Sequence, residues 1–480
     1  MTTDTSPTRV RYGVLGFACS LSMITYLDRA CFGVASDSII KALSLQGISD
    51  LTLALAAFNL AYAAFEVPTG YLGDVFGPRK TLVRIVLWWS FFTALTGMAG
   101  FEVASGVVLV NLTGLIVIRF LFGIGEAGAY PNITRALHNW FPLTERGFAQ
   151  GMVWMSGRLM GGLTPLVWLL LVELIGMTWR SAFWLFGLIG VAWCVAFATW
   201  FRNRPEEHPS VNDAELAVIQ SGTRGATEQA HAKVPWGELL RSWNLWAICL
   251  MYFFMSYGWY FYVGYLPNFL QVHYDVSPKS TVGSLYKGAP LIFGAVGCIL
   301  GGWLTDRYVR RTGDRKWGRR IFGMFGHGVC VPCFLACLVA PNAFMFALCV
   351  ALAGFFNDLA MGSAWATCQD IGRRHAAIVA GCMNTIGNLG GFVATLLSGK
   401  IIGWTLRAYE SANGVSVKEL AADESRKVEL LQVLRAGEMP GYQINFVIFA
   451  AAYAIAMLLW LRIDATKPVL TEDAQTEVAT

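Results

Sequence analysis

The chain has 480 residues, 55% of them hydrophobic and only 14% charged, with a formal net charge of +5. Soluble domains carry roughly 25% charged residues, so a soluble fold is excluded and the surplus apolar surface must face lipid. The basic residues are dispersed over short loops rather than gathered on one face, which excludes a nucleic-acid partner.

Crossing the hydrocarbon takes about 20 mostly apolar residues, and stretches of that length recur along the chain. The first begins near Tyr12, is too long for the hydrophobic part of a cleavable leader, and contains Asp28 and Arg29. It reads as the first span, 12–34. Others follow at 51–73, 81–99, 107–133, 147–173 and 181–201. The polar segment 202–241, with Pro205, Glu206, Glu207 and Pro209, reads as a cytoplasmic linker. A second set runs 242–271, 283–304, 319–340, 343–367, 376–402 and 441–462. Residues 403–440 read as a polar excursion with some helical character, and the last dozen residues as a disordered tail.

The expected architecture is all-α and membrane-integral. Twelve spans form two pseudo-symmetric six-helix bundles, 1–201 and 242–462, with a cytoplasmic tail at 463–480. Most Lys and Arg fall in the loops on the side of both termini, which predicts that both ends are cytoplasmic. All eleven Cys lie in apolar stretches. Cys330, Cys333 and Cys337 read as packing residues rather than metal ligands, so no disulfide framework, metal or cofactor is expected.

The halves repeat. Gly70 and Asp74 after the second span recur as Gly302 and Asp306 after the eighth, 232 residues on. Gly151, Gly157, Gly161 and Gly162 in the fifth span recur as Gly381, Gly387, Gly390 and Gly391 in the eleventh. A direct repeat of six spans implies two bundles about an axis along the membrane normal. Substrate then binds between them near mid-membrane, and rocking alternates access.

Charges inside spans cost at least about 2.5–3.5 kcal/mol each, so each one carries information. Asp28 and Arg29 follow Tyr26 and diverge by roughly 100° around the first helix. They read either as packing against polar groups of other helices or as one charge for substrate and one for a proton relay. Arg119 and Glu126 lie two turns apart on one face of the fourth span. An Arg fork suits a carboxylate, and burial favours the neutral form of a carboxyl group, which suits a proton carrier. Together they form the minimal kit of an anion symporter; the alternative is an interhelical ion-pair network.

Glu66 in the second span and Arg158 in the fifth read either as a mutual charge pair or as direct substrate contacts. Asp358 reads as structural or gating, and His327 as a packing residue. Tyr257, Tyr260 and Tyr262 offer hydroxyls, of which Tyr257 is taken as the candidate. Asn384 and Asn388, one turn apart, are better hydroxyl partners for a polyol.

Gly70, Asp74, Gly77, Arg79 and Lys80, with Gly302, Asp306 and Arg307, resemble the signature loops of the major facilitator superfamily. The resemblance implies gating by Asp74, Asp306 and Arg307, with Arg79 standing in where Val75 replaces the usual Arg. Within that superfamily the chain resembles the anion:cation symporters, bacterial proton-coupled transporters of sugar acids and aromatic acids. The residues that carry this are Tyr26, Asp28 and Arg29, then Arg119 to Pro131, then Trp140, Pro142, Glu145 and Arg146. In the second half they are Gly381, Asn384, Gly387, Asn388, Gly390 and Gly391. The resemblance covers all twelve spans. It implies that Arg29 and Arg119 hold the substrate carboxylate and that Asp28 and Glu126 couple protons. Glu66 departs from the Gln common in sugar-acid members.

The expectation is a secondary transporter rather than an enzyme. It carries a small organic anion, a sugar acid, together with protons (sodium being the alternative ion), as a monomer in a bacterial inner membrane. The rivals are an aromatic-carboxylate symporter, a drug/proton antiporter and a membrane receptor without turnover.

Overall fold

A computed structural model describes residues 6–44, 48–104, 107–221, 235–276, 281–422 and 424–470. In chain order its long helices are α1 (Val10–Val34), α2 (Ile48–Phe76), α3 (Pro78–Thr96), α4 (Leu112–Trp140), α5 (Arg146–Trp168), α6 (Trp179–Trp200), α7 (Trp243–Gly264), α8 (Thr281–Thr312), α9 (Arg315–Ala336), α10 (Ala343–Gly372), α11 (Ala376–Asn413) and α12 (Lys427–Leu459). Among the described residues eight of them, α1, α4, α6 and α8 to α12, are long and apolar enough to cross a membrane; α5 with its continuation makes a ninth. Helices α2, α3 and α7 lie at the three other positions where the sequence predicts spans.

Local chemistry sets the helix ends. The Asn111 side chain accepts from the N–H of Gly114 at the start of α4, and Asn342 accepts from Met345 at the start of α10. These caps are 231 residues apart, so the repeat extends to helix starts. Thr178, Ser242 and Asp314 cap α6, α7 and α9 in the same way. Pro68, Pro290, Pro332 and Pro440 sit inside helices, which membrane helices tolerate when neighbours satisfy the freed carbonyls.

Packing is inverted relative to a soluble protein. Leu60, Leu188, Val195 and Trp404 point outward, while Glu66, Glu126, Gln150, Asn357 and Gln369 are fully enclosed. The two halves meet where α5 packs on α8 and α2 packs on α11. At Gly302 a Cβ would lie 2.4 Å from the carbonyl oxygen of Gly147, so only a glycine lets α8 approach α5 this closely.

Several sequence boundaries move. The 403–440 excursion is largely helical, because α11 runs on to Asn413 and α12 begins at Lys427. Charged residues there reflect helices that continue past the hydrocarbon rather than a loop. The fourth span starts at Leu112, not 107, after a short hairpin of Glu102–Ala104 with Val107–Val108. The 202–241 linker contains a helix, Asp213–Gln220, and a second short one, Trp236–Arg241; its residues 222–234 lie outside the described ones. The buried Glu215 of that linker accepts from the N–H groups of Val10 and Arg11 and pairs with the Arg11 side chain, tying the linker to the start of α1. Of the tail, Ile463, Val469 and Leu470 are buried, and 471–480 lie outside the described residues.

Candidate functional site

Between the halves lies a small cavity lined by Tyr26, Arg29, Tyr62, Tyr130, Trp154, Arg158, Tyr252, Met255, Ser256, Trp259, Tyr260, Asn384 and Asn388. Its α7 contribution, Tyr252, Met255, Ser256, Trp259 and Tyr260, follows helical i, i+3, i+4, i+7, i+8 spacing, so one stripe of α7 faces the cavity. Tyr257 lies off that stripe. It is buried against Phe449, and Tyr260 takes the place expected of it.

Arg29 is the cavity's cation from α1. Its Nε donates to Glu126 Oε1 at 2.6 Å. Its guanidinium carbon lies 4.4 Å from the Tyr62 ring centroid and 5.9 Å from that of Tyr26. Arg29 Nη2 and Glu126 Oε2 are each buried with no hydrogen-bond partner among the described residues. Buried polar atoms are normally satisfied, so both sites have capacity left for a ligand or a proton. Glu126 ends the first segment of α4, which breaks at Ala127 and restarts after Gly128 with a φ of +83°. Gly128 is the residue type suited to that left-handed turn.

Arg119 is not on the cavity wall. It is buried with its guanidinium carbon 4.3, 4.9 and 4.8 Å from the rings of Phe32, Phe58 and Phe122. Arg29 also reaches Phe58, at 5.6 Å, so Phe58 touches both cations. The shared face of Arg119 and Glu126 is therefore divided: Glu126 meets Arg29, and Arg119 sits in an aromatic cage. Asp28 is buried, accepts from the Thr93 hydroxyl at 3.4 Å, and its Oδ1 has no partner among the described residues.

Of the two readings of Glu66 and Arg158, the mutual charge pair is not formed. Arg158 Nε and Nη2 donate to the two oxygens of Asp358 at 2.8 and 3.3 Å, a two-pronged pair, and Nη1 donates to the Tyr26 hydroxyl at 2.6 Å. Asn357 Nδ2 also donates to Asp358, and Tyr453 holds Asn357. Glu66 instead accepts from Asn384 Nδ2 and, at 3.4 Å, from Asn388 Nδ2, joining α2 to α11. The reason is packing: α5 lies against α1 and α8, whereas α2 lies against α4 and α11. Asp358 thus belongs to the site, and one sequence signal could have shown it. Glu126 and Asp358 are 232 residues apart, the same offset as the loop aspartates.

The cavity walls differ chemically. The first half contributes Arg29 and Arg158. At matching places in the repeat the second half has Tyr260 and Asn388, whose side chains hydrogen-bond at 3.0 Å. One wall is cationic, the other neutral and hydrogen-bonding. Tyr130 stacks on Trp154 at 4.3 Å and holds Ser22, closing the cavity below with aromatic surface.

The face from which α1 starts is shut by two matching latches. Asp74 at the end of α2 accepts from the N–H groups of Ala377 and Ile378 at the start of α11. Asp306 in α8 accepts from those of Gly147 and Phe148 at the start of α5, at 3.2 and 2.6 Å. Helix N-termini attract negative charge, so each half's loop carboxylate caps a helix of the other. Arg135 approaches Asp74 at 3.7 Å, and Arg319 binds both Asp306 and Asp370. The expected gating roles of Arg79 and Arg307 do not match these contacts. Arg79 donates to the carbonyl of Ala198, and Arg307 lies over Trp303; Arg135 and Arg319 hold the aspartates instead. Asp306→Asn keeps the shape but weakens the cap and the Arg319 pair. It is expected to open this face more often, raising thiol-reagent access to an introduced Ser256→Cys on the cavity wall several-fold; unchanged labelling would contradict the latch.

Residues 18–395 match the model of the Major Facilitator Superfamily. The chain belongs to that family. It is 34% identical over 396 residues to a probable sulfoacetate transporter of Cupriavidus necator, covering 82% of this chain and 88% of the relative. It is 28% identical to a probable L-galactonate transporter of Escherichia coli, covering 78% and 77%. Its fold matches a proton:xylose symporter bound to 6-bromo-6-deoxy-D-glucose with a TM-score of 0.70 at 13% identity, over 98% of this chain and 99% of that one. The protein is thus a multi-pass membrane transporter and not an enzyme.

Proposed function

We propose that this transporter is a proton-coupled symporter of a small organic anion in a bacterial inner membrane, with both termini cytoplasmic and a hydroxylated sugar acid or a similarly small acid as cargo. The observation that carries the reading is the pairing of Arg29, on the cavity wall, with the buried Glu126. While Glu126 is ionised it occupies the fork of Arg29. Once Glu126 takes up a proton, its claim on Arg29 falls to that of a neutral hydrogen bond and the guanidinium is released for a substrate anion. Anion and proton then load together and cross together when the halves rock. The hydroxyl of Tyr260 and the amide of Asn388 on the opposite wall suit the polar body of such a substrate. The names of the sulfoacetate and galactonate relatives support an anionic cargo.

Counterflow in proteoliposomes with sulfoacetate, galactonate, a hexuronate and benzoate is the direct test. Wild type is expected to exchange at least one of them, and Arg29→Gln to lower that exchange at least tenfold. Full exchange by the Arg29 variant would remove the anion site from this residue. Exchange of organic cations alone would replace symport by antiport.

A further inference from the structure

Arg158 and Asp358 are left over by that mechanism, yet they repeat its design. Arg158 lines the cavity, and Asp358 lies behind it outside the cavity wall, as Glu126 lies behind Arg29. The pair is buried, joins α5 of the first half to α10 of the second, and is held by Tyr26 and Asn357. The face of the Arg158 guanidinium lies 4.4 Å from the Trp259 ring. The two arginines flank one side chain: their guanidinium carbons lie 5.9 and 5.7 Å from the Tyr26 ring centroid. Both guanidinium groups thus border one ring of the cavity wall.

We propose that Arg158 is a second anion-binding locus beside Arg29, and that the transporter's preferred cargo is a compact dianion whose two acidic groups engage Arg29 and Arg158. The proposal rests on the reading of Arg29 as the first anion site. Two cationic side chains on one cavity wall offer a charged partner to each acidic group of a dianion, whereas a monoanion uses only one of them. The ion pair across α5 and α10 would open as it loads, so binding at Arg158 also alters a contact between the halves.

The test uses purified full-length transporter at mildly acidic pH. The probes are sulfoacetate, succinate and glucarate, each beside its monoamide, which keeps the size and removes one charge. Binding by calorimetry is expected to be at least tenfold tighter for one or more dianions than for the matching monoamide. In the neutral double variant Arg158→Gln with Asp358→Asn, that tenfold preference is expected to disappear. Equal binding of dianion and monoamide by wild type, or of none of the six probes, would overturn the dianion assignment. A double variant that keeps the preference would remove Arg158 from it, as would one that keeps its melting temperature but loses both classes of probe. Arg29→Gln separates the two ideas: loss of every probe in that variant supports the first site whatever happens at Arg158, and retained monoamide binding sinks the first site itself.

Discussion

Glu126→Gln is expected to abolish proton-driven accumulation, by a hundredfold or more, while leaving exchange of substrate across the membrane measurable. The amide cannot ionise, so Arg29 is never fully reclaimed from the substrate, and loading no longer requires a proton. Net uptake against a gradient depends on that requirement, whereas exchange needs only a site that binds and a bundle that rocks. Uptake driven by an imposed pH gradient and counterflow at equal pH separate the two properties in one preparation. Accumulation at the wild-type level would show that Glu126 carries no coupling proton. Asp28, buried with an unpartnered oxygen, and the enclosed Glu66 would then be the candidate acids of the first half.

The second large effect concerns stability. Arg158 and Asp358 form a buried pair with side chains 4% and 1% exposed, so removing either partner strands the other. Breaking such a pair costs about 3–5 kcal/mol, whereas replacing both partners is often close to neutral. Arg158→Gln and Asp358→Asn are each expected to lower thermal stability strongly, and the double variant to recover to within about 1 kcal/mol of wild type. Glu66→Gln, whose partners are Asn384 and Asn388, is expected to add to Arg158→Gln without coupling. A double-mutant cycle in which Glu66 rather than Asp358 couples to Arg158 would contradict the structure at this point.

That reassignment shows where sequence reading reached its end. The apolar spans, the repeat and the rarity of intramembrane charge all follow from the cost of exposing polar groups to lipid. They are therefore written into local composition. The partner of each charge is not, because it depends on which helix faces which. Arg158 and Glu66 stood out for their depth, but α5 and α2 pack against different neighbours. Arg119 stood out with Glu126 for a shared helical face, yet Arg119 lies among the rings of Phe32, Phe58 and Phe122 and only Glu126 pairs with Arg29. Tyr260 rather than Tyr257 faces the cavity because the α7 stripe runs through Tyr252, Ser256 and Trp259. A helix that is almost uniformly apolar around its circumference offers little polar contrast to say which stripe is inward. The latches were half legible. Asp74 and Asp306 were marked by the repeat, while Arg135 and Arg319 come from other helices and had no sequence mark.

The central claim is that a proton on Glu126 exchanges for an anion on Arg29. Counting protons on binding tests it most directly. In weakly buffered solution, a monoanion that the wild-type protein binds is expected to be accompanied by about one proton from solvent, and Glu126→Gln should bind the same anion with that uptake abolished. Wild-type binding with no proton uptake, or an undiminished uptake in Glu126→Gln, would contradict it.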